Sequence, residues 1–213
     1  MAPTTLPTPR PILSRSLLIP FILEIIIVIL LIVLNGFFSL SEIALISSKK
    51  IRLEHLKEQN SKGAKYALKL LDNSENFLSS IQVGITLIGI ITGFYGGVSL
   101  AKYLTPLFVW MNVSPTASYG ISVTISIAII TFFSIVLGEL VPKTIALSKP
   151  EKAAVKVAPT IYVVSTLFFP LVKLLAFSTH VINKMMGISP PENHVTEEEI
   201  RQIIRFASKE GVI

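Results

Sequence analysis

The chain has 213 residues, of which 51% are hydrophobic and 15% charged, with no cysteine and a formal net charge of +6. A water-soluble domain carries about a quarter of its residues as Asp, Glu, Lys or Arg, so a mean hydropathy of +0.69 marks a chain whose apolar surface faces lipid. The lack of cysteine excludes a disulfide framework, a zinc–thiolate site and thiol catalysis. The basic residues lie beside the apolar runs, where topology and anionic headgroups account for them without a nucleic-acid partner.

Residues 1–16 are rich in proline and threonine, lack an amphipathic period and read as a disordered tail. The first apolar run, residues 17–46, exceeds the roughly 20 residues that cross a bilayer. It is too long for a signal peptide, and no small-residue cleavage motif follows it. Next, "SSKKIRLEHLKEQNSKGAKYALKLLDNSENF" sets Ile51, Leu53 and Leu56, then Ala64, Ala67, Leu68 and Leu71, at helical spacing among lysines. That pattern predicts helices lying along the membrane surface.

The second run, 77–100, contains Gly84, Gly89, Gly93, Gly96 and Gly97, small residues that let helices approach closely. "AKYLTPLFVWMNVSPTASYG" reads as a short interfacial connection, with Tyr103, Trp110, Tyr119 and one lysine. The third run, Ile121–Leu137 within a span over 120–141, leads into "LGELVPK". Seven Lys and Arg residues lie between 49 and 69, against Lys102 alone after the second run. The first loop is therefore predicted to be cytoplasmic and the amino terminus outside, in the cell (inner or plasma) membrane.

A fourth apolar stretch, Val157–Phe177, is interrupted by Pro159 and Pro170 and has basic flanks on both sides. Three spans are expected, with proline-bent belt helices over 157–186 in the inner leaflet and a four-span topology as the alternative. In residues 187–213, Thr196 and Glu199 form a capping box ahead of the stripe Ile200, Ile203, Ile204 and Ala207. This predicts a cytosolic helix that leads into further chain or meets another subunit. The fold class is thus an all-α membrane protein, with transmembrane domain 17–186 of three transmembrane helices plus amphipathic juxtamembrane helices.

Polar residues inside spans carry the functional information, because lipid offers them no partner. Asn35, Ser39 and Glu42 share one face of the first span, with Ser41 on an adjacent face. Ser79, Gln82, Thr86, Gly89 and Gly93 line up in the second, and Thr124, Thr131, Ser134 and Gly138 in the third, with Glu139 beside them. Hydroxyls, amides, carboxylates and helix-end carbonyls are the donors hard cations prefer. Each serine or threonine taken singly can also bond to its own helix, and Glu42 and Gln82 can sit in the inner interface near lysines. Glu24 is assigned to the outer interface. Glu139 stands between Gly138 and Pro142, and Pro142, lacking an N–H, leaves the Gly138 carbonyl free to coordinate. Broken helices of this kind recur at ion sites, although a helix leaving the membrane reads the same way. His55, His180 and His194 form no metal pair, and no nucleophile–base pattern, phosphate loop or dinucleotide fingerprint occurs, so no enzyme is expected.

"NGFFSLSEIALISSKKIRLEHL", "IQVGIT", "LGELVPKTIALSKPE" and the ending "HVTEEEIRQIIRFASKEGVI" resemble the CorC/CNNM (cyclin M, hemolysin-like) family over nearly the whole chain from about Asn35. The resemblance implies a homodimer of three-span protomers in membrane lipid, joined by the last helix to cytosolic CBS domains, which would be the only point of contact with ATP. It implies export of Mg2+ as the bound substrate ion, exchanged for Na+. Carried over by position, the metal residues are Ser39, Asn35 and Glu139, with Thr86, or Gln82 a turn earlier, replacing the family's second-span asparagines. Those asparagines are Ile85 and Gly89 here. Related chains with such divergence resemble polyamine exporters, for putrescine or cadaverine. A regulatory membrane module that only anchors and dimerises is the remaining alternative.

Overall fold

The computed structural model of the chain describes residues 15–187, with side chains from Leu18 onward. The amino-terminal tail and the linker helix expected after residue 187 lie outside the described residues. Among the described residues 92% are helical and none is in a strand. The helices are α1 (Arg15–Ile46), α2 (Lys50–Glu58), α3 (Lys62–Asp72), α4 (Ser74–Trp110), α5 (Pro115–Ile135), a π-helical turn (Val136–Leu140), α6 (Val141–Ser148) and α7 (Pro150–Met185). Local chemistry sets their ends. Asn60 and Asn112 take the left-handed conformation at the α2–α3 and α4–α5 turns, which asparagine tolerates better than most residues. Ser61 caps α3 by accepting the Ala64 N–H, and Pro115 opens α5, where its missing N–H is not needed.

Four stretches are long and apolar enough to cross a membrane: Leu18–Ile46, Ser74–Trp110, Pro115–Ser148 and Pro150–Met185. The second and third run well past the expected 77–100 and 120–141. The predicted interfacial connection contracts to Met111–Ser114, because Lys102 does not end α4. Its ammonium meets Glu24 of α1 at 3.0 Å, and Phe21 packs edge-on against Tyr103. The belt helices expected over 157–186 are one continuous helix beginning at Pro150 and containing both prolines. The chain divides into two units, Met1–Val172 and Lys173–Ile213.

In lipid, apolar burial drives little helix association, and close backbone approach takes its place. A Cβ on Gly84 would meet the Phe38 ring of α1 at 3.0 Å, and one on Gly96 would meet Ile130 at 3.1 Å and Val28 at 3.2 Å. Gly97 lets Ile127 in so closely that a Cβ would lie 2.5 Å from it. These contacts seat α4 between α1 and α5. Ser118, Ser122 and Ser126, four residues apart and fully buried, continue the small-residue seam on α5.

A second core lies where α2, α3 and the first turns of α7 meet the end of α1. There Leu45, Leu53, Ala67, Leu68, Phe77, Ala154, Ala158 and Ile161 form one buried cluster. Gly63 is its tightest point, since a Cβ would stand 2.0 Å from the Val155 carbonyl oxygen of α7. Lys50 and Asp72 pair at 2.8 Å across α2 and α3, and the carboxylate holds the ammonium above the usual lysine range.

Candidate functional site

The third membrane stretch changes its winding just before Pro142. The Val141 N–H reaches back five residues to the Val136 carbonyl, which makes the turn π rather than α. Pro142 has no N–H for the Gly138 carbonyl four residues earlier. The side-chain amide of Asn35 donates to that oxygen instead, at 3.1 Å, across 103 residues of sequence. Space for this contact comes from two glycines. A Cβ on Gly138 would press on Asn35 Nδ2 and the Ile32 carbonyl at 3.2 Å, and one on Gly36 would meet the Pro142 ring at 3.0 Å. The Gly138 oxygen, expected to be free, is thus already engaged on one side.

A cavity of about 190 Å³ opens beside this contact, room for several waters. Its polar wall is Asn35, Thr131, Ser134 and Glu139, and its other wall is Ile85, Gly89, Gly93, Ile130 and Ile135. A Cβ on Gly89 or Gly93 would meet nothing within 4 Å. These two glycines therefore bound open space, whereas Gly84, Gly96 and Gly97 serve packing. Asn35 is 5% exposed, and its Oδ1 is buried with no hydrogen-bond partner, as is the Ser39 hydroxyl a turn later. Buried oxygens without partners are uncommon and mark places where a donor or cation is wanted.

Charge collects at the rim. Lys143 Nζ lies 2.7 Å from Glu139 Oε1 and 3.6 Å from Glu42 Oε2, so one ammonium serves carboxylates from two helices. Above the cavity, toward Glu24 and Lys102, Val28, Ile32 and Ile130 form a small buried cluster with Tyr95 and Leu100 packed on it. The cavity is thereby backed by an apolar plug, and an ion pair lies beyond it.

The structure brings Asn35, Ser134, Gly138 and Glu139 together, and Pro142 is buried. Ser39 is buried next to this group but does not line the cavity. Ser41 is fully buried and bonds the Phe37 carbonyl of its own helix, the structural alternative for a span serine. Thr86 and Gln82, the substitutes for the second-span asparagines, are exposed and outside the cavity lining, to which α4 contributes Ile85, Gly89 and Gly93. Lys143 is the residue that reading the sequence does not single out. Its signal was its place four residues after Glu139, within ion-pair reach on a helix. Among the described residues no group of three His, Cys, Asp or Glu side chains could hold a metal. The donors are one or two carboxylates with neutral oxygens, a set for hard cations or amines rather than transition metals.

These features define a multi-pass helical membrane domain with a polar cavity between its helices. The Cyclin M transmembrane N-terminal domain family profile matches residues 25–213. The chain belongs to that family. It is 44% identical over 192 residues to the UPF0053 protein sll0260 of Synechocystis, covering 90% of this chain and 43% of that protein. It is 36% identical to the UPF0053 protein YhdP of Bacillus subtilis, covering 90% and 44%. It is 30% identical to the uncharacterized protein Rv1841c of Mycobacterium tuberculosis, covering 89% and 54%. The chain thus spans about half the length of these relatives.

Proposed function

We propose that this chain is the translocating membrane domain of a transporter that exports divalent cations, magnesium foremost, in exchange for sodium. The observation that carries the reading is the cavity itself, with Asn35, Thr131, Ser134 and Glu139 on one wall and Lys143 bound at its rim. Magnesium gives up its waters reluctantly, so a site for it needs several fixed oxygens and at least one charge. Glu139 supplies the charge, while Asn35 Oδ1, the Gly138 carbonyl and nearby hydroxyls supply neutral oxygens. The apolar plug of Val28, Ile32 and Ile130 supports alternating access, because a carrier must keep one side shut while the other is open. In this reading the end bearing α2 and α3 is cytoplasmic, which the lysine distribution supports. The chain works as a homodimer, and ATP acts only through CBS domains outside it.

The test is flux into vesicles reconstituted with the purified chain, read with a magnesium-sensitive dye. Glu139→Ala should abolish transport and leave the oligomer and its melting temperature unchanged; full flux in that variant refutes the assignment. An organic polycation is the second reading. It is favoured by Lys143, which already holds a primary ammonium between two carboxylates, and by Ile85 and Gly89, which give the cavity one apolar wall. Inhibition of magnesium flux by putrescine or cadaverine, with uptake of the labelled diamine, would support it. The absence of any cation flux would leave a regulatory membrane module.

A further inference from the structure

A second cavity, of about 220 Å³, lies where the end of α3 and the start of α4 face α7. Lys69, Asn73, Asn76, Ser165 and Thr166 form its polar lining, and no carboxylate lines it. Lys69 is the one charge, and it is held in an unusual way. Its ammonium sits 5.9 Å from the centre of the Tyr66 ring and 5.5 Å from that of Tyr162, and the two rings pack 5.1 Å apart. The ring faces attract and orient a cation but leave its charge uncompensated. No ion pair among the described residues includes Lys69, and the carboxylate nearest in sequence, Asp72, is taken by Lys50. The Thr166 hydroxyl donates to the Tyr162 carbonyl and Ser165 pairs with Ser80, so the donors turned to the cavity are the Lys69 ammonium and the remaining N–H groups of Asn73 and Asn76, a set that selects an anion.

The position of the cavity narrows that anion to a class. α4 begins at Ser74 and is one of the four stretches long and apolar enough to cross a membrane, so Asn73, Asn76 and Phe77 stand at the end of a candidate span, next to the lysine-bearing helix α3. Phe77 and Phe169 give the cavity an apolar side, and Val163 and Leu167 of α7 are exposed next to it. Lys62 and Lys65 share the exposed face of α3 with Lys69, at spacings of three and four residues. A ligand with a phosphate at one end and hydrocarbon at the other matches this gradient from charged to apolar, whereas a free anion would leave the apolar side without a partner.

We propose that the cavity between α3, α4 and α7 binds the headgroup phosphate of an anionic phospholipid from the adjoining leaflet, with Lys69 as its counter-charge. The site is separate from the cation cavity and requires only that the chain lie in a membrane. Native mass spectrometry of the purified chain, titrated in detergent with phosphatidylglycerol or phosphatidylcholine, tests it. Phosphatidylglycerol should bind wild type about five-fold more tightly than Lys69→Gln, the contribution of one lysine near an anionic surface. Lys69→Arg should retain binding, and phosphatidylcholine should not distinguish the proteins. Thr166→Glu, an exposed substitution that adds a like charge to the lining, should weaken phosphatidylglycerol independently, which keeps the test decisive should Lys69→Gln misfold. Equal phosphatidylglycerol affinity in wild type and the Gln and Glu variants overturns the proposal. So does displacement of the lipid by millimolar inorganic phosphate, which would mark a site for a soluble anion.

Discussion

Replacing Lys143 by glutamine removes the cation held jointly by Glu42 and Glu139 and leaves two carboxylates at the cavity rim. With Lys143 in place these three side chains carry a net charge of −1, so a divalent ion entering beside Glu139 must compete with an ammonium already there. At the observed 2.7 Å separation, Coulomb's law gives about 1.5 kcal/mol at the permittivity of water and about 6 kcal/mol at an effective value of about 20. The Glu139 side chain is 39% exposed, so solvent screening favours the lower figure. About 1.5 kcal/mol corresponds to roughly ten-fold in affinity. Lys143→Gln should therefore bind magnesium about ten-fold more tightly by titration calorimetry in detergent, and should turn over more slowly in vesicles because release becomes harder. Lys143→Arg should resemble wild type. An affinity for magnesium that is unchanged or weaker in Lys143→Gln would refute the idea that Lys143 stands in for the transported cation.

Asn35→Leu removes the donor to the Gly138 carbonyl, which Pro142 cannot replace. A hydrogen bond between membrane helices contributes about 0.6 kcal/mol on average and at most about 1.7, so the melting temperature in detergent should fall by a few degrees. Gly89→Asn and Ile85→Asn place amides into the cavity, and nothing within 4 Å obstructs a side chain at Gly89. The double variant should keep its melting temperature and show magnesium flux less sensitive to competing diamines. Gly63→Ala forces a Cβ against the Val155 carbonyl, where the built position is 2.0 Å away. Overpacking of this kind costs about 1–3 kcal/mol, so the variant should melt earlier, and limited proteolysis should cut more readily between α3 and α4.

The long apolar runs were legible because lipid imposes a simple rule on composition, and α1 ends at Ile46 where the sequence places it. Helix ends that depend on distant partners were not. Lys102 looks like the edge of a span until Glu24, 78 residues away, is brought alongside it. The glycines of α4 look alike in the sequence, yet they do two jobs. Gly96 faces Ile130 and Val28, while Gly89 and Gly93 face open space, a distinction fixed by what the neighbouring helices present. The "GELVPK" stretch announced an irregular winding through Gly138 and Pro142. That Asn35 would supply the donor its carbonyl lacks depends on how α1 rotates against the turn. Thr86 and Gln82 fit the same polar stripe as Gly89, yet both are exposed and outside the cavity lining.

The winding change between Val136 and Leu140 makes the third helix sensitive to length in a way its composition does not reveal. Closing a turn on the fifth residue inserts one peptide unit into an otherwise regular spiral, and one residue corresponds to about 100° of rotation. Loss of a single residue here would close the turn into a regular α-helix and leave the segments on either side in nearly their present phase, so the change would fall on the turn itself, where Glu139 sits. Descendants of this chain can exchange side chains along that helix, but they cannot shorten it by one without re-aiming its acidic group.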